Sequence, residues 1–255
     1  MDYSRKALQK KRKMLTSSNR RMASKLGVMT FRFALVLFVA CIFCGTFAAL
    51  GVINGIIDSA PSIDTIDVSP EGYSTTIYDA KGNVTQKLVG QNANRIYVTL
   101  DQVPECVYNA FVAIEDERFW THKGIDVRGI FRAASFVLKN GDLSQGASTL
   151  TQQLLKNTVF DGGSETSNLA KIKRKVQEQY LAVQLEGRLD KKTILEYYLN
   201  TINLGQNTLG VQAASLRYFG KNVTDLTISE AAVIAGITQN PSAYNPISHP
   251  DNNSE

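Results

Sequence analysis

The chain has 255 residues, enough for one domain of about 200 residues and an appendage. Its formal charge of +5 is unevenly distributed: residues 1–32 contain ten Lys and Arg against one acid, whereas residues 58–255 contain 18 Lys and Arg against 22 Asp and Glu. A nucleic-acid-binding protein more often has its basic excess on the folded domain. The charge distribution therefore argues against a nucleic-acid partner.

An uncharged apolar segment follows the basic tail. Residues 33–57, FALVLFVACIFCGTFAALGVINGII, are long enough to cross a hydrocarbon core of roughly 30 Å. A cleaved signal peptide has an apolar region of only about 7–15 residues, so an uncleaved transmembrane anchor is favoured. The basic residues of the tail (1–32) predict a cytoplasmic N-terminus and an extracytoplasmic location for the rest of the chain.

Residues 58–104 are predicted to form a stalk and a β-hairpin that lead into the main domain. Residues 58–72 are mostly polar and contain two prolines, as a stalk would. Residues 73–90 alternate apolar and polar side chains on both sides of AKGN, the pattern of a hairpin. Cys106 is the only cysteine outside the apolar segment, so neither a disulfide in the soluble part nor a Cys-based metal site is expected.

From residue 105 onward, apolar residues recur mostly at spacings of 3 and 4, which predicts a mainly α domain over residues 105–255. There is no internal repeat. The predicted helices comprise residues 105–115, 126–141, 149–157, 169–183, 191–202, 209–220 and 229–239. Asp126 is an expected N-cap and Gly141 an expected stop for the second helix, while Thr149 and Gln152 match a capping box for the third.

The segment AIEDERFWTHKG, residues 113–124, places acidic residues beside two aromatic residues and one of only two histidines. A carboxylate such as Glu115 beside Phe119 and Trp120 can be partly desolvated, which suits it to proton transfer near neutral pH. The simpler interpretation, a solvated residue at the end of a helix, is favoured on spacing alone. His122 is interpreted as a hydrogen-bonding residue in the turn, and two histidines are too few for a His-rich metal site.

Two further segments have the composition of an anion-binding site. Residues 146–157, GASTLTQQLLKN, place a glycine and hydroxyls at the start of a helix, where backbone N–H groups and the helix dipole favour an anion. On the fourth helix, one face carries Lys171, Arg174, Lys175 and Glu178, opposite an apolar stripe. Such a face can bind a diphosphate or can simply be solvated. Taken singly, a capped helix and a solvated face are the favoured interpretations.

Taken together and in order, these segments resemble the glycosyltransferase domain of class A penicillin-binding proteins and monofunctional peptidoglycan glycosyltransferases, glycosyltransferase family 51. EDERFWTHKG matches the pattern E-D-x-x-F-x-x-H-x-G at every fixed position, and GASTLTQQLLKN matches G-G-S-T-x-T-Q-Q-L-x-K-N except at Ala147. RKVQE, KKTILEYYLN and GVQAASLRYFGK match three further family patterns. Five ordered blocks across residues 110–221 are far more specific than any single motif.

The resemblance implies a lysozyme-like, mainly α fold and a role for each matching residue. Glu115 would be the general base that deprotonates the 4-hydroxyl of the acceptor sugar on lipid II. That oxygen would attack the anomeric carbon of a lipid-linked glycan donor and invert its α-diphosphate linkage to a β-1,4 bond. Asp116 would support the substrate site, Phe119 and Trp120 would form the wall beside the base, and His122 would shape the turn.

The leaving group implied by the resemblance is polyprenyl diphosphate. The residues expected to bind the donor and its diphosphate are Ser148, Thr149, Gln152, Lys156, Arg174 and Lys175. Glu178, the second catalytic residue, would orient the cations or hold a divalent ion, Mg²⁺ or Mn²⁺. Expected partners are lipid II, the lipid-linked glycan strand, the membrane, and other proteins of cell-wall synthesis, division or elongation.

Two departures from the family pattern limit these expectations. Ala147 replaces a glycine at a point where the backbone approaches the donor. No block with the nucleophilic serine of a transpeptidase follows, so we expect a piece of a longer chain, or else a monofunctional enzyme, and assign no penicillin-binding role to these residues. Two other functions stay open: a lysozyme-like hydrolase or lytic enzyme, and a non-catalytic membrane-anchored cell-wall scaffold.

Overall fold

The computed structural model describes residues 4–16, 18–88, 90, 94–141 and 146–254. The chain divides into two compact units, Met1–Asp58 and Ser59–Glu255. Residues 1–3 and 17 of the predicted basic tail, and Val89 of the predicted hairpin, lie outside the described residues. Each unit is described separately.

The described residues of the first unit form two helices, α1 (Arg5–Thr16) and α2 (Ser18–Asp58). Within α2, the stretch Lys25–Asp58 is long and apolar enough to cross a membrane, and its side chains are exposed except for the half-buried Ile56 and Ile57. An exposed apolar surface of this length is unfavourable in water and favourable in a hydrocarbon core. The single apolar N-terminal helix predicted over residues 33–57 is therefore confirmed as a structural element.

The second unit begins with a segment that packs against its core. Ile63 and Val68 are buried, and the Asp64 carboxylate accepts a hydrogen bond of 2.5 Å from Arg188. The polar composition on which the stalk prediction for residues 58–72 rests gave no indication of this packing, because the segment contains few apolar residues. The predicted hairpin is confirmed, with antiparallel strands β1 (Thr75–Tyr78) and β2 (Val84–Leu88).

The other regular elements of this unit are helices, and the predicted mainly α fold class is confirmed. All seven predicted helices are present, and a short eighth follows them. Their bounds are α3 Glu105–Glu115, α4 Val127–Asn140, α5 Leu150–Thr158, α6 Asn168–Leu185, α7 Lys191–Thr201, α8 Val211–Phe219, α9 Ile228–Ile237 and α10 Pro250–Ser254. Short 3₁₀ turns occur at Leu100–Gln102 and Val223–Asp225.

The helical core is built around α5. This helix packs against both α6 and α7, while α3 packs against α9. Leu154 of α5, Leu181 of α6 and Leu195 of α7 are completely buried. Burial of such a side chain contributes about 1.5–3 kcal/mol, so this packing fixes the helix ends relative to one another.

The helix ends differ from the sequence prediction in two of four details. Gly141 adopts the left-handed conformation that ends α4, and the Thr149 hydroxyl accepts from Gln152 N at the start of α5, as predicted. The reciprocal half of the predicted capping box, in which Gln152 Oε1 would accept from Thr149 N, is not formed: among the described residues Oε1 has no partner, while Gln152 Nε2 donates to Gly124 O. Asp126 occupies the N-cap position of α4, but its carboxylate binds the Arg118 guanidinium at 2.6 Å and makes no side-chain cap bond.

Helix α6 faces the opposite way from the prediction. Leu169, Ile172 and Val183 of the predicted apolar stripe are exposed, whereas Glu178 and Leu181 are buried. A periodic stripe identifies a helix face but not what covers it. The buried face tolerates Glu178 because its carboxylate is paired with cations, as described below.

Candidate active site

One cavity of about 430 Å³ lies where α3, α5, α6 and α9 converge. It contains both carboxylates that the sequence singled out, Glu115 and Glu178, together with several of the predicted donor-site residues. Its lining residues are Ile114, Glu115, Gly146, Ser148, Gln152, Gln153, Lys156, Lys175, Glu178, Thr238 and Gln239. Residues from the first three sequence blocks therefore share one cavity.

Glu115 is the last residue of α3, and each of its carboxylate oxygens accepts a hydrogen bond. Gln153 Nε2 of α5 donates to Oε2 at 2.6 Å, and the Thr238 hydroxyl after α9 donates to Oε1. A carboxylate has about four lone-pair positions, so both oxygens can still accept a proton or a further hydrogen bond. The carboxylate is thus held from two sides, on the wall of the cavity.

Glu178 is 1% exposed and pairs with two cations of its own helix. Its Oε1 binds Arg174 Nη1, and its Oε2 lies 3.0 Å from Lys175 Nζ. Lys175 also donates to Ser148 Oγ at 2.5 Å, which links α6 to the start of α5. Removal of either cation would leave the buried carboxylate incompletely paired, which is strongly unfavourable. Glu178 therefore does not face solvent and holds the two cations in place.

Arg174 does not line the cavity. Its Nε donates to Glu165 at 2.8 Å, so the guanidinium lies between two carboxylates. Gly163 passes over it closely: a Cβ added there would lie 3.0 Å from the guanidinium carbon. The predicted basic face is therefore divided, with Lys175 at the cavity, Arg174 behind it and Lys171 exposed.

Lys156 is the cation best placed to bind an anion in the cavity. Among the described residues its ammonium group has no hydrogen-bond or ion-pair partner. Burial lowers its pKa below the usual lysine range, Lys175 and Arg174 lower it further, and Glu178 and Glu115 act in the opposite direction. A partly buried ammonium without a fixed partner favours an incoming negative charge.

Three predicted site residues, Asp116, Thr149 and Gln152, make hydrogen bonds within the protein. Asp116 is buried and accepts from Leu150 N at 3.0 Å and from His122 Nε2 at 2.8 Å, which ties the turn after α3 to the start of α5. The Thr149 hydroxyl donates to Gly124 O at 2.8 Å. Gln152 lines the cavity, but its amide nitrogen donates to the same carbonyl, and its buried Oε1 has no partner in the part of the chain that the structure describes. His122 stabilises the turn, as predicted.

Phe119 and Trp120 do not line the cavity with Glu115. Phe119 is completely buried and packs edge-on against Trp120 at 5.0 Å between ring centroids, with Lys191 Nζ 4.3 Å from its ring centroid. Their expected role as the wall beside the base is therefore wrong, because the chain turns after Asp116. Ile114, Gln153 and Thr238 form that wall instead.

The residues around Glu178 do not fit the divalent ion that the resemblance suggested. Both Glu178 oxygens bind cationic side chains, and Mg²⁺ and Mn²⁺ require several oxygen ligands. Within the described ranges, no group of three or more His, Cys, Asp or Glu side chains is arranged to hold a metal ion. No role for a metal ion follows from this geometry.

Sequence reasoning missed Thr238, Gln239 and Glu165. Thr238 and Gln239 follow a helix whose apolar sequence is typical of a buried core helix, and Glu165 lies in a polar loop. None belongs to a recognised block, so only the packing of α9 against α3 and of the loop against α6 brings them to the site. Ala147, the departure from the second block, has no positive φ, so alanine is accommodated there without backbone strain.

Chemically, the cavity combines a proton acceptor with an anion-binding group. Glu115 has lone pairs available for a hydroxyl proton, while Lys156 and Lys175 provide positive charge in the same cavity. A base and cations in one partly enclosed space are suited to the attack of a hydroxyl on a centre whose leaving group is anionic. The site therefore has the groups required for group transfer from a phosphate-linked donor.

Comparison with known proteins identifies the class. A family model described as Transglycosylase matches residues 81–255, which include the whole cavity. The chain therefore belongs to the transglycosylase family.

Its relatives include proteins named penicillin-binding protein 1A. Identity is 44% over 222 residues with that of Clostridium botulinum strain Langeland and 43% over 218 residues with that of Escherichia coli K12, covering 86% and 85% of this chain. These matches cover 26% and 24% of the relatives, so the chain spans about a quarter of their length. A crystal structure of penicillin-binding protein 1A from Haemophilus influenzae matches 71% of this chain and 16% of its own, with 25% identity and a TM-score of 0.36.

Proposed function

We propose that this chain is a peptidoglycan glycosyltransferase that polymerises lipid II into β-1,4-linked glycan strands. The observation that carries the proposal is the shared cavity, in which Glu115 and the Lys156–Lys175 pair line one space. Membership of the transglycosylase family supports the reaction class. The substrate, a lipid-linked disaccharide diphosphate, accounts for both the base and the cations.

Glu115 acts as the general base in this proposal. The acceptor 4-hydroxyl passes its proton to the carboxylate, and its oxygen forms the new bond to the anomeric carbon of the donor as the carbon–diphosphate bond breaks. The hydrogen bonds from Gln153 and Thr238 support this role, since they fix the carboxylate before the substrate arrives.

The bond electrons leave with polyprenyl diphosphate, whose charge Lys156 and Lys175 offset. Lys175 is prepared for this task by its contacts with Ser148 and Glu178. Arg174 acts on the charge of the leaving group only indirectly, through its ion pair with Glu178, and it remains paired with Glu165. Preorganised charges of this kind stabilise a developing anion without reorganisation during the reaction.

The pH dependence of anion binding tests the role of Lys156. Because the pKa of Lys156 is lowered, its side chain loses its positive charge at a lower pH than an ordinary lysine does. We expect the affinity for inorganic pyrophosphate, measured by calorimetry, to fall as the pH rises toward the usual lysine range. Lys156→Arg should move this fall to higher pH. A Lys156→Arg profile identical to that of the parent would remove Lys156 from the anion site.

Product analysis separates the proposal from its two rivals. The detergent-purified chain should convert labelled lipid II into a polymer that muramidase digests. A hydrolase would instead cleave preformed peptidoglycan, and a non-catalytic scaffold would change neither substrate. The cations at the cavity favour transfer over hydrolysis, since a glycosidic bond between two sugars has no diphosphate to bind.

We also propose that α2 anchors the chain in the cell membrane with the cavity on the extracytoplasmic side. The charge difference across the apolar residues 33–57 supports this orientation, with ten basic residues in residues 1–32. A reporter fused after Glu255 should be removed by protease added to intact spheroplasts, while a cytoplasmic marker survives. Protection of the reporter would reverse the orientation.

A further inference from the structure

We infer that Thr238 is a positioning residue for Glu115, whose hydroxyl changes its hydrogen-bond acceptor when the base takes up a proton. The inference rests on the proposed function, because it concerns the same proton transfer. Thr238 belongs to none of the five sequence blocks that match the family. It is singled out by its contacts in the structure.

Thr238 directly follows α9, and its hydroxyl lies between two acceptors. Its Oγ is 2.7 Å from the carbonyl oxygen of Ala235, and it also contacts Glu115 Oε1 within hydrogen-bond distance. A threonine hydroxyl has one hydrogen, so it can donate to only one of these oxygens at a time. When Glu115 is ionised, the charge-assisted bond to the carboxylate is the stronger one, and the hydrogen points to Oε1.

Uptake of the proton by Glu115 reverses this preference. The proton of the acceptor hydroxyl converts the carboxylate into a carboxylic acid, which has an O–H group of its own to donate. Thr238 Oγ can then accept from that O–H while its hydrogen turns to Ala235 O, already 2.7 Å away. No atom leaves Thr238, and its hydroxyl stays hydrogen-bonded in both states of the base.

The second partner of Glu115 cannot adjust in this way. Gln153 Nε2 is an amide nitrogen that only donates, so its 2.6 Å bond to Oε2 favours a carboxylate oxygen with a free lone pair. Gln153 therefore fixes the orientation of the carboxylate, whereas Thr238 accommodates the change in its charge. The geometry thus assigns different tasks to the α5 and α9 sides of the site.

Two substitutions test the inference. Thr238→Val keeps the shape of the side chain and removes the hydroxyl, and Thr238→Ser keeps the hydroxyl. We expect Thr238→Val to lower kcat for lipid II polymerisation about tenfold, within the range that loss of positioning can cause. Its KM and melting temperature should remain near those of the parent, and Thr238→Ser should restore most of kcat.

Thr201→Val is a matched control, because the Thr201 hydroxyl also donates to a carbonyl of its own helix, that of Tyr197, and Thr201 does not line the cavity. This variant should polymerise lipid II at the parental rate. In a Glu115→Gln background, Thr238→Val should cause no further loss of kcat.

Failure of the inference is distinguishable from failure of the proposed function. If the parent chain polymerises lipid II and Thr238→Val does so within about twofold, a margin well below the expected positioning effect, the inference is wrong and the function stands. Equal losses in Thr238→Ser and Thr238→Val, or a fall in kcat matched by Thr201→Val, would also overturn it. If the parent itself makes no polymer, the proposed function fails first.

Discussion

Glu115→Gln is expected to reduce the turnover of lipid II by about 10²–10⁴-fold, the usual contribution of general-base catalysis. The amide keeps the size of the carboxylate and can still accept a hydrogen bond, so the contacts with Gln153 and Thr238 do not require a change of shape. We therefore expect an unchanged melting temperature and unchanged lipid II binding. Initial rates with labelled lipid II, together with an equilibrium binding measurement, separate loss of chemistry from loss of affinity.

Glu117→Gln is the matched control for this change. Glu117 lies two residues further on, is exposed, and pairs with Arg118 at the surface. Its replacement should leave the rate close to that of the parent, because surface pairs contribute about 0–1 kcal/mol to stability. Polymerisation near the parental rate by folded Glu115→Gln protein would remove Glu115 from the mechanism.

The second large effect is expected from the cations on α6. Lys175→Gln removes a charge that lines the cavity, and Arg174→Gln removes one that Glu178 holds behind it. Loss of one preorganised electrostatic group can lower turnover by roughly 10²–10³-fold. We expect Lys175→Gln to reach this range and Arg174→Gln to fall below it, because Arg174 acts through Glu178.

Lys171→Gln provides the control on the same helix. Lys171 is exposed and does not line the cavity, so its loss should leave turnover and melting temperature unchanged. Steady-state kinetics on the three variants distinguish a diphosphate-binding face from an ordinary charged surface. Rates within about twofold of the parent for both Lys175→Gln and Arg174→Gln, far smaller than a typical electrostatic effect, would contradict the binding role.

Local sequence patterns predicted the elements of the second unit well. Alternation on both sides of a turn predicted strands β1 and β2, and spacings of 3 and 4 predicted helices α3 to α9. Gly141 ends α4 as predicted, because a left-handed residue at a helix end is a local requirement that glycine meets without strain. Ordered blocks, rather than any single residue, identified the carboxylates and cations of the cavity.

Features that depend on packing could not be predicted from the chain alone. The apolar stripe of α6 is exposed because Leu181 and the ion-paired Glu178 fill the buried face, a choice that periodicity does not determine. Phe119 is adjacent to the base in sequence but turns into the core, where Lys191 lies over its ring. Thr238 is 123 positions from Glu115, and only the packing of α9 against α3 brings them together.

The most direct test of the account is the stoichiometry of the reaction with lipid II. New β-1,4 bonds, new reducing ends and free polyprenyl diphosphate would be counted in one time course with the purified chain. Glycosyl transfer at the cavity predicts one diphosphate released for each bond formed, with no excess of reducing ends, and a loss of both in Glu115→Gln. Diphosphate release accompanied by reducing ends instead of bonds, or polymer formation that survives Glu115→Gln, would contradict it.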